Sequence, residues 1–163
     1  MGAPDFEAWY ATERPALVRA IWAIAGDRDL AADVVDEAFS RALERWTRVS
    51  SMDSPGGWVR VVALNQLRRT LRRRSLEARL LRRRHERDVA LPEPDDDGGV
   101  WSAVAALPLR QRQVIALRYA LDCSEAETAA ALGISEGAAS ASLAKARRRL
   151  GEVLRVEQEV VLP

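Results

Sequence analysis

Between Ser124 and Ser135 the chain writes a helix start, a helix stop and a second start within twelve residues, and few folds accommodate that. Ser124 followed three residues later by Glu127 is a capping box, in which each partner satisfies the other's free backbone donor. An eight-residue helix fits before Gly133, a residue suited to the left-handed stop. Ser135 is placed to cap a further helix running to about Leu150 or beyond. In that helix Ala139, Leu143, Ala146 and Leu150 recur at i, i+4, i+7 and i+11 and form a buried side. The opposite side carries Gly137, Ala141, Lys145 and Arg148, flanked by Ser140, Ser142, Arg147 and Arg149. This is the pattern of a helix-turn-helix, whose second helix enters the major groove with its N-terminal residues toward the bases.

The rest also reads as helix, because Ala, Leu, Arg and Glu dominate and no stretch sustains period-two alternation. The expected fold class is all-α. A first helix spans about Asp5 to Ala25, with Phe6, Trp9, Tyr10, Leu17, Ile21 and Trp22 apolar, Pro15 as a local disturbance and Gly26 as the stop. A second runs from about Asp29 to Arg48, burying Val35, Phe39, Ala42 and Trp46, while Asp33, Glu37, Arg41 and Glu44 form a charged stripe. Residues 50–57, closing on Pro55-Gly56-Gly57, read as a loop. A third helix covers about Trp58 to Arg74; Val61, Leu64, Leu67 and Leu71 lie on one side, Asn65, Arg68, Arg69 and Arg72 on an adjacent one. Helical character persists to Arg87, after which Leu91 to Gly99 breaks every periodicity and reads as a flexible linker. The acid triplet Asp95 to Asp97 lacks the alternating ligands and closing Glu of an EF-hand.

Charge is distributed unevenly. The whole chain nets only +1, yet residues 60–87 hold 11 arginines against Glu77 and Glu86, a net of +9, between two segments of −4 each. Such a strip is either a solvated helix face or a polyanion footprint, since each phosphate neutralised by Arg releases counterions. The strip alone leaves both readings open; Asn and Arg on one surface suit a duplex, because both also make bidentate contacts to base edges.

Several classes fall away. One cysteine, Cys123, closes no intrachain disulfide, and with one His it leaves too few ligands for structural zinc. No apolar run approaches the roughly 18 residues of a membrane span, and the opening MGAPDFEAWY lacks a signal peptide's basic and apolar stretches. A cytoplasmic chain without a cofactor is expected. Catalysis has little support: His85 sits among arginines, and neither Cys123 nor any serine has an evident catalytic partner.

Four stretches together resemble the extracytoplasmic-function (ECF) sigma factors of the sigma-70 family. They are Gly26 to Phe39 (GDRDLAADVVDEAF), Trp58 to Asn65 (WVRVVALN) followed by arginines, Leu107 to Tyr119 (LPLRQRQVIALRY), and Ser124 to Ala129 (SEAETA). The resemblance covers about residues 5–155 and implies two small helical domains joined by a flexible linker. Residues 1–74 would form a region-two bundle, 75–99 the linker, 100–155 the region-four helix-turn-helix and 156–163 a tail. It implies an alternative sigma factor, not an enzyme, that binds core RNA polymerase through the β′ clamp helices and β flap and directs promoter recognition and melting. Asp33, Asp36, Glu37 and Arg41 would dock on the clamp helices. The loop from Ser50 to Pro55, with Ser50, Ser51, Met52 and Asp53, would receive a non-template base at the minus-ten element; Trp46 and Trp58 border it and would either support strand opening or belong to the core, and Asn65, Arg68, Arg69 and Arg72 would hold the promoter around that element. Arg110, Arg112, Ser135, Glu136, Gly137, Ala138, Ser140, Ala141, Ser142, Lys145 and Arg148 would meet the minus-thirty-five element. The resemblance further implies promoter DNA and an anti-sigma factor as partners, membrane contact only through that factor, and a monomer when free.

One departure stands out. Where the family usually offers Thr-Val and alternating Lys and Arg, this chain has Ala138, Ala139, Ser140 and Ser142, which make fewer phosphate and guanine contacts. Weak or altered minus-thirty-five recognition is the expectation. A stand-alone helix-turn-helix regulator, and a sigma-like decoy that binds a regulator, are the alternative readings.

Overall fold

The computed structural model describes residues 5–81 and 100–160. The proposed linker from 82 to 99 lies outside the described residues, whereas 75–81, assigned to it from sequence, continue a helix. Every element among the described residues is helical: α1 (Phe6–Ala25), α2 (Arg28–Glu44), α3 (Trp46–Val49), α4 (Pro55–Leu81), α5 (Val100–Ala105), α6 (Leu109–Ile115), a π-helical turn at Ala116–Ala120, α7 (Glu125–Leu132) and α8 (Glu136–Val160). None is long and apolar enough to cross a membrane.

Local chemistry sets most boundaries. Asp5 accepts from the Glu7 N–H to open α1, and Gly26 at φ +71 closes it. Asp27 accepts from Leu30 N at 2.9 Å to open α2 and also pairs with Arg74 of α4 at 3.0 Å. The α1 helix continues through Pro15, which lies on the exposed side, where the carbonyl it leaves unbonded can be hydrated. The second helix is shorter than its periodicity suggests. Its bonding yields at Arg45 (φ −120, ψ 23), and the chain restarts as the one-turn α3. That break seats Trp46 4.9 Å from Trp9 and 5.1 Å from Phe6, in a cluster that also holds Tyr10 and Phe39.

Pro55-Gly56-Gly57 is helix, not loop. The Ser54 hydroxyl accepts from Gly57 N at 3.0 Å and caps the helix, Pro55 occupies a position that needs no N–H donor, and neither glycine has room to spare. A Cβ on Gly57 would lie 2.7 Å from Ser54 Oγ, and one on Gly56 3.2 Å from Glu13 Oε2. Close approach to the cap and to α1 explains two glycines where propensity alone argues against a helix.

Residues 5–81 form a bundle in which α1 and α2 pack together and α4 crosses both. Residues 100–160 form a second unit, with α6 and α7 both packed on α8. Ser124 and Glu127 make both capping-box bonds, and Gly133 has φ +64. Ala139, Leu143 and Ala146 are buried as their spacing requires. The two units share one apolar core. The first helix meets α5, α6 and the π turn, α4 meets α7, and Leu17, Ile21, Val59 and Leu67 belong to one cluster with Val114, Leu117, Cys123 and Leu143.

Gly133 has open space where a Cβ would stand, so its need is purely conformational. Gly133→Ala is expected to destabilise the fold by about 1 kcal/mol, lowering Tm by roughly 2–4 °C in a thermal melt.

Candidate nucleic-acid interface

The interface is organised by α4. Asn65, Arg68, Arg69 and Arg72 are all exposed on one side of it, while Ala63, Leu64 and Leu67 are buried in the core. Arg68 Nη1 donates to Asn65 Oδ1 at 3.4 Å, a light contact that leaves both side chains facing solvent. Just before α4 the loop is tight: the N–H groups of Ser50, Ser51 and Met52 donate to Trp46, Arg48 and Val49 carbonyls. The hydroxyl of Ser51 donates to Arg48 O at 2.8 Å and that of Ser50 to Thr47 O at 3.4 Å, so both oxygens keep lone pairs free to accept. Ser51 and Asp53 are exposed, Met52 and Ser50 half-buried, and Trp58 packs partly against the core at the base of the loop. Trp46, by contrast, is held within the aromatic cluster. Exposed Arg45 and Arg48, which sequence reasoning passed over, add positive charge at the loop's entry.

The second basic surface is α8. Ser135 Oγ accepts from Ala138 N at 3.1 Å and caps it. Glu136, Gly137, Ala138, Ser140, Ala141, Lys145 and Arg148 are exposed, and Ser142 is half-buried. Arg147 is engaged elsewhere: its Nε donates to Tyr119 Oη at 2.8 Å. Arg110 is exposed, but Arg112 is half-buried with its Nε enclosed, and burial lowers its pKa. Of that pair, Arg110 is the freer to meet a phosphate.

The acidic stripe of α2 is not uniform. Asp33 is exposed, and Glu37 pairs with Arg41 at 2.9 Å along the helix. Asp36 is clasped by Arg14 of α1, whose Nε and Nη2 donate to its two oxygens at 2.7 and 2.9 Å, with Tyr10 Oη at 3.4 Å. The Arg14 hydrogen bonds hold the Asp36 carboxyl below its ordinary range. Nothing local in the sequence signals this clasp, since its partners stand 22 residues apart.

An all-helical body presenting a helix-turn-helix and an arginine-lined helix defines a DNA-binding protein. Comparison with known proteins narrows the class. Residues 9–77 match the family model described as Sigma-70 region 2, and residues 98–150 match Sigma-70, region 4. The RNA polymerase sigma-E factor of Streptomyces coelicolor is 30% identical over 152 residues, covering 92% of this chain and 86% of that protein. The sigma-E factor of Streptomyces avermitilis is 29% identical, covering 92% and 85%. The sigma factor RpoE, solved with the anti-sigma factor NepR from Bartonella quintana, shares the fold with TM-score 0.80 at 24% identity, covering 93% of this chain and 98% of RpoE. CnrH, solved with the cytosolic domain of CnrY, gives TM-score 0.63 at 25% identity, covering 93% and 88%. The chain belongs to the sigma-70 family, in its ECF branch, and is an alternative sigma factor acting in transcription initiation.

The Arg14–Asp36 pair is partly solvated, with side chains 31% and 49% exposed, so Arg14→Ala is expected to cost no more than about 1 kcal/mol at pH 7. Because the folded pKa of Asp36 is depressed, that gap is full above the ordinary value of 3.8 and closes as pH falls through the lowered one. Urea melts of both proteins across that range measure it.

Proposed function

We propose that the two basic surfaces and the acidic stripe divide the work of initiation. The observation that carries this reading is the exposure of Asn65, Arg68, Arg69 and Arg72 on one side of a helix that begins at the Ser50–Asp53 loop. Duplex contacts and a base-accepting loop on one rigid element let strand capture follow strand positioning without a hinge between them. Arginines neutralise the backbone and fix register. The loop supplies acceptor oxygens and Trp58 a partly exposed ring beside which an extruded base can rest.

On α2, Asp33 and the Glu37–Arg41 pair dock the polymerase β′ clamp helices, and Asp36 contributes once Arg14 is exchanged for a basic partner on the clamp. The second unit offers α8 to the minus-thirty-five element, with Lys145, Arg148 and Arg110 on phosphates and the N-terminal residues Ser135 to Ala138 toward the bases. Small side chains there make few base contacts, so promoter choice leans on the α4 half. The nucleotide chemistry belongs to the polymerase. The protein works in the cytoplasm and is a monomer when free. Its restraint by an anti-sigma factor is supported by the solved relatives RpoE, seen with the anti-sigma factor NepR, and CnrH, seen with the cytosolic domain of CnrY.

The test is run-off transcription from genomic fragments with the full chain and core polymerase. Discrete starts that appear only when the chain is added support the reading; their absence overturns it. In binding assays on the fragments that give starts, replacing Arg68, Arg69 and Arg72 together by Ala should lower affinity at least tenfold. It should also flatten the slope of log affinity against log salt by about 3, whereas replacing Lys145 and Arg148 should change the slope by at most about 2.

A further inference from the structure

One arginine of α8 keeps a partner that cannot neutralise it. Arg14, Arg41, Arg60, Arg73 and Arg74 each pair with a carboxylate. Arg147 is held by a phenol instead: its Nε donates to Tyr119 Oη at 2.8 Å, and its guanidinium carbon stands 5.7 Å from the centre of the Tyr119 ring. From Leu143 to Gly151 the sequence holds no acidic residue, so no carboxylate lies within one turn of Arg147 along the helix. Its charge is left for a partner outside the chain.

An irregular turn brings Tyr119 to this contact. After α6 the bonding widens into the π turn at Ala116–Ala120, a rare form that often marks a functional position. Arg118 folds inward and donates to the Cys123 carbonyl, while Cys123 N donates to Leu117 O at 3.0 Å and pins the end of the turn. The neighbouring Tyr119 faces outward and is 56% exposed. That sets it apart from the other rings: Phe39 is buried, and Trp9, Tyr10 and Trp58 pack against the core.

What remains open on the pair is a set of donors. The phenol oxygen accepts from Arg147 and so keeps its own hydrogen to give, and the Nη groups of Arg147 carry no hydrogen bond among the described residues. Anchoring at Nε also fixes the guanidinium fork, so a ligand need not bear that part of the ordering cost. A planar fork beside a hydroxyl donor matches two oxygens of one phosphate.

The place of Arg147 on α8 suits a backbone more than a base. Consecutive residues on a helix lie about 100° apart, so Arg147 stands roughly a quarter-turn round from Arg148, whose side also carries Gly137 and Ala141 and is the one proposed to face the bases. A helix seated in a major groove about 12 Å wide turns its crest to the base edges and its flanks to the bordering strands. Exposed Ser140 shares the flank of Arg147, and the positions one turn to either side, Ala144 and Gly151, are too small to screen it. Gly151 has open space where a Cβ would stand.

We propose that Tyr119 and Arg147 form a phosphate seat on the flank of α8, which takes one backbone phosphodiester of the duplex that α8 enters. DNA as the source of that phosphate rests on the sigma-factor reading; the seat rests on the geometry of the pair. It supplies affinity without sequence preference and so offsets the few base contacts open to Gly137, Ala138 and Ala141.

Methylphosphonate substitution tests the seat, because it neutralises one chosen phosphate and leaves the bases intact. Binding is measured with the full chain and core polymerase on a fragment that gives transcription starts, each phosphate bordering the minus-thirty-five element being replaced in turn. Arg147→Ala should weaken binding to the unmodified fragment about fivefold and flatten the slope of log affinity against log salt by about 0.9. Tyr119→Phe, which keeps the ring, should weaken it about threefold with the slope nearly unchanged. Both variants should become insensitive to methylphosphonate at one and the same position and stay as sensitive as wild type at the others. A pair that only braces α8 would weaken binding while every position stayed sensitive; that result would overturn the seat, as would wild-type affinity in both variants. Should Arg147→Ala lose helix content, Arg147→Gln takes its place. Absence of transcription starts would count against the sigma-factor reading. The seat is then judged on the chain alone with duplex of mixed sequence, where an unchanged salt slope in the Arg147 variant, or no binding at all, would overturn it.

Discussion

The fold depends on burying the first helix on more than one side. Leu17, Ala20, Ile21, Ala23 and Ile24 are enclosed, and Trp9, Val18 and Trp22 pack partly against the same core. A helix with apolar residues around so much of its circumference cannot be covered by a single neighbour. α2 and α4 cover part of it, and α5, α6 and the π turn cover much of the rest. The second unit therefore completes a core that the first begins, and the contact between them is apolar before it is electrostatic.

That arrangement explains where the charges go. Acidic side chains collect on the outer side of α2 and arginines along the outer side of α4, away from the shared core, so two surfaces of opposite sign grow from one bundle. The Arg14–Asp36 clasp crosses between helices and moderates the acidic surface; the Asp27–Arg74 pair ties the cap of α2 to the arginine-rich helix. Two neighbouring faces of opposite sign can attract partners of different charge without competing for the same residues.

What the sequence revealed, and what it hid, follows from the range of the interactions involved. The capping box at Ser124 and Glu127, the stop at Gly133 and the spacing of Ala139, Leu143 and Ala146 are all written within a few residues, and each was readable. Pro55-Gly56-Gly57 reads as a loop because the close packing of Gly56 on Glu13, 43 residues earlier, is invisible locally, even though the Ser54 cap that opens the helix is a local signal. The break at Arg45 escaped because what it accomplishes, turning Trp46 onto Phe6 and Trp9, is a tertiary event. Arg60 lay inside the arginine-rich segment and looked like one more phosphate ligand, since its distinguishing neighbour Cys123 is 63 positions away. The same blindness made Arg110 and Arg112 look equivalent when one is open and the other enclosed.

The knot of rings formed by Phe6, Trp9, Tyr10, Phe39 and Trp46 fastens the opening turn of the chain to the residue that precedes the Ser50–Asp53 loop by one helical turn. Cargo fused at the amino end would therefore pull on the segment proposed to receive an unpaired base, while a fusion at the carboxyl end would load a helix terminus remote in sequence from that loop. Affinity handles and fluorescent reporters for this protein belong at the carboxyl end.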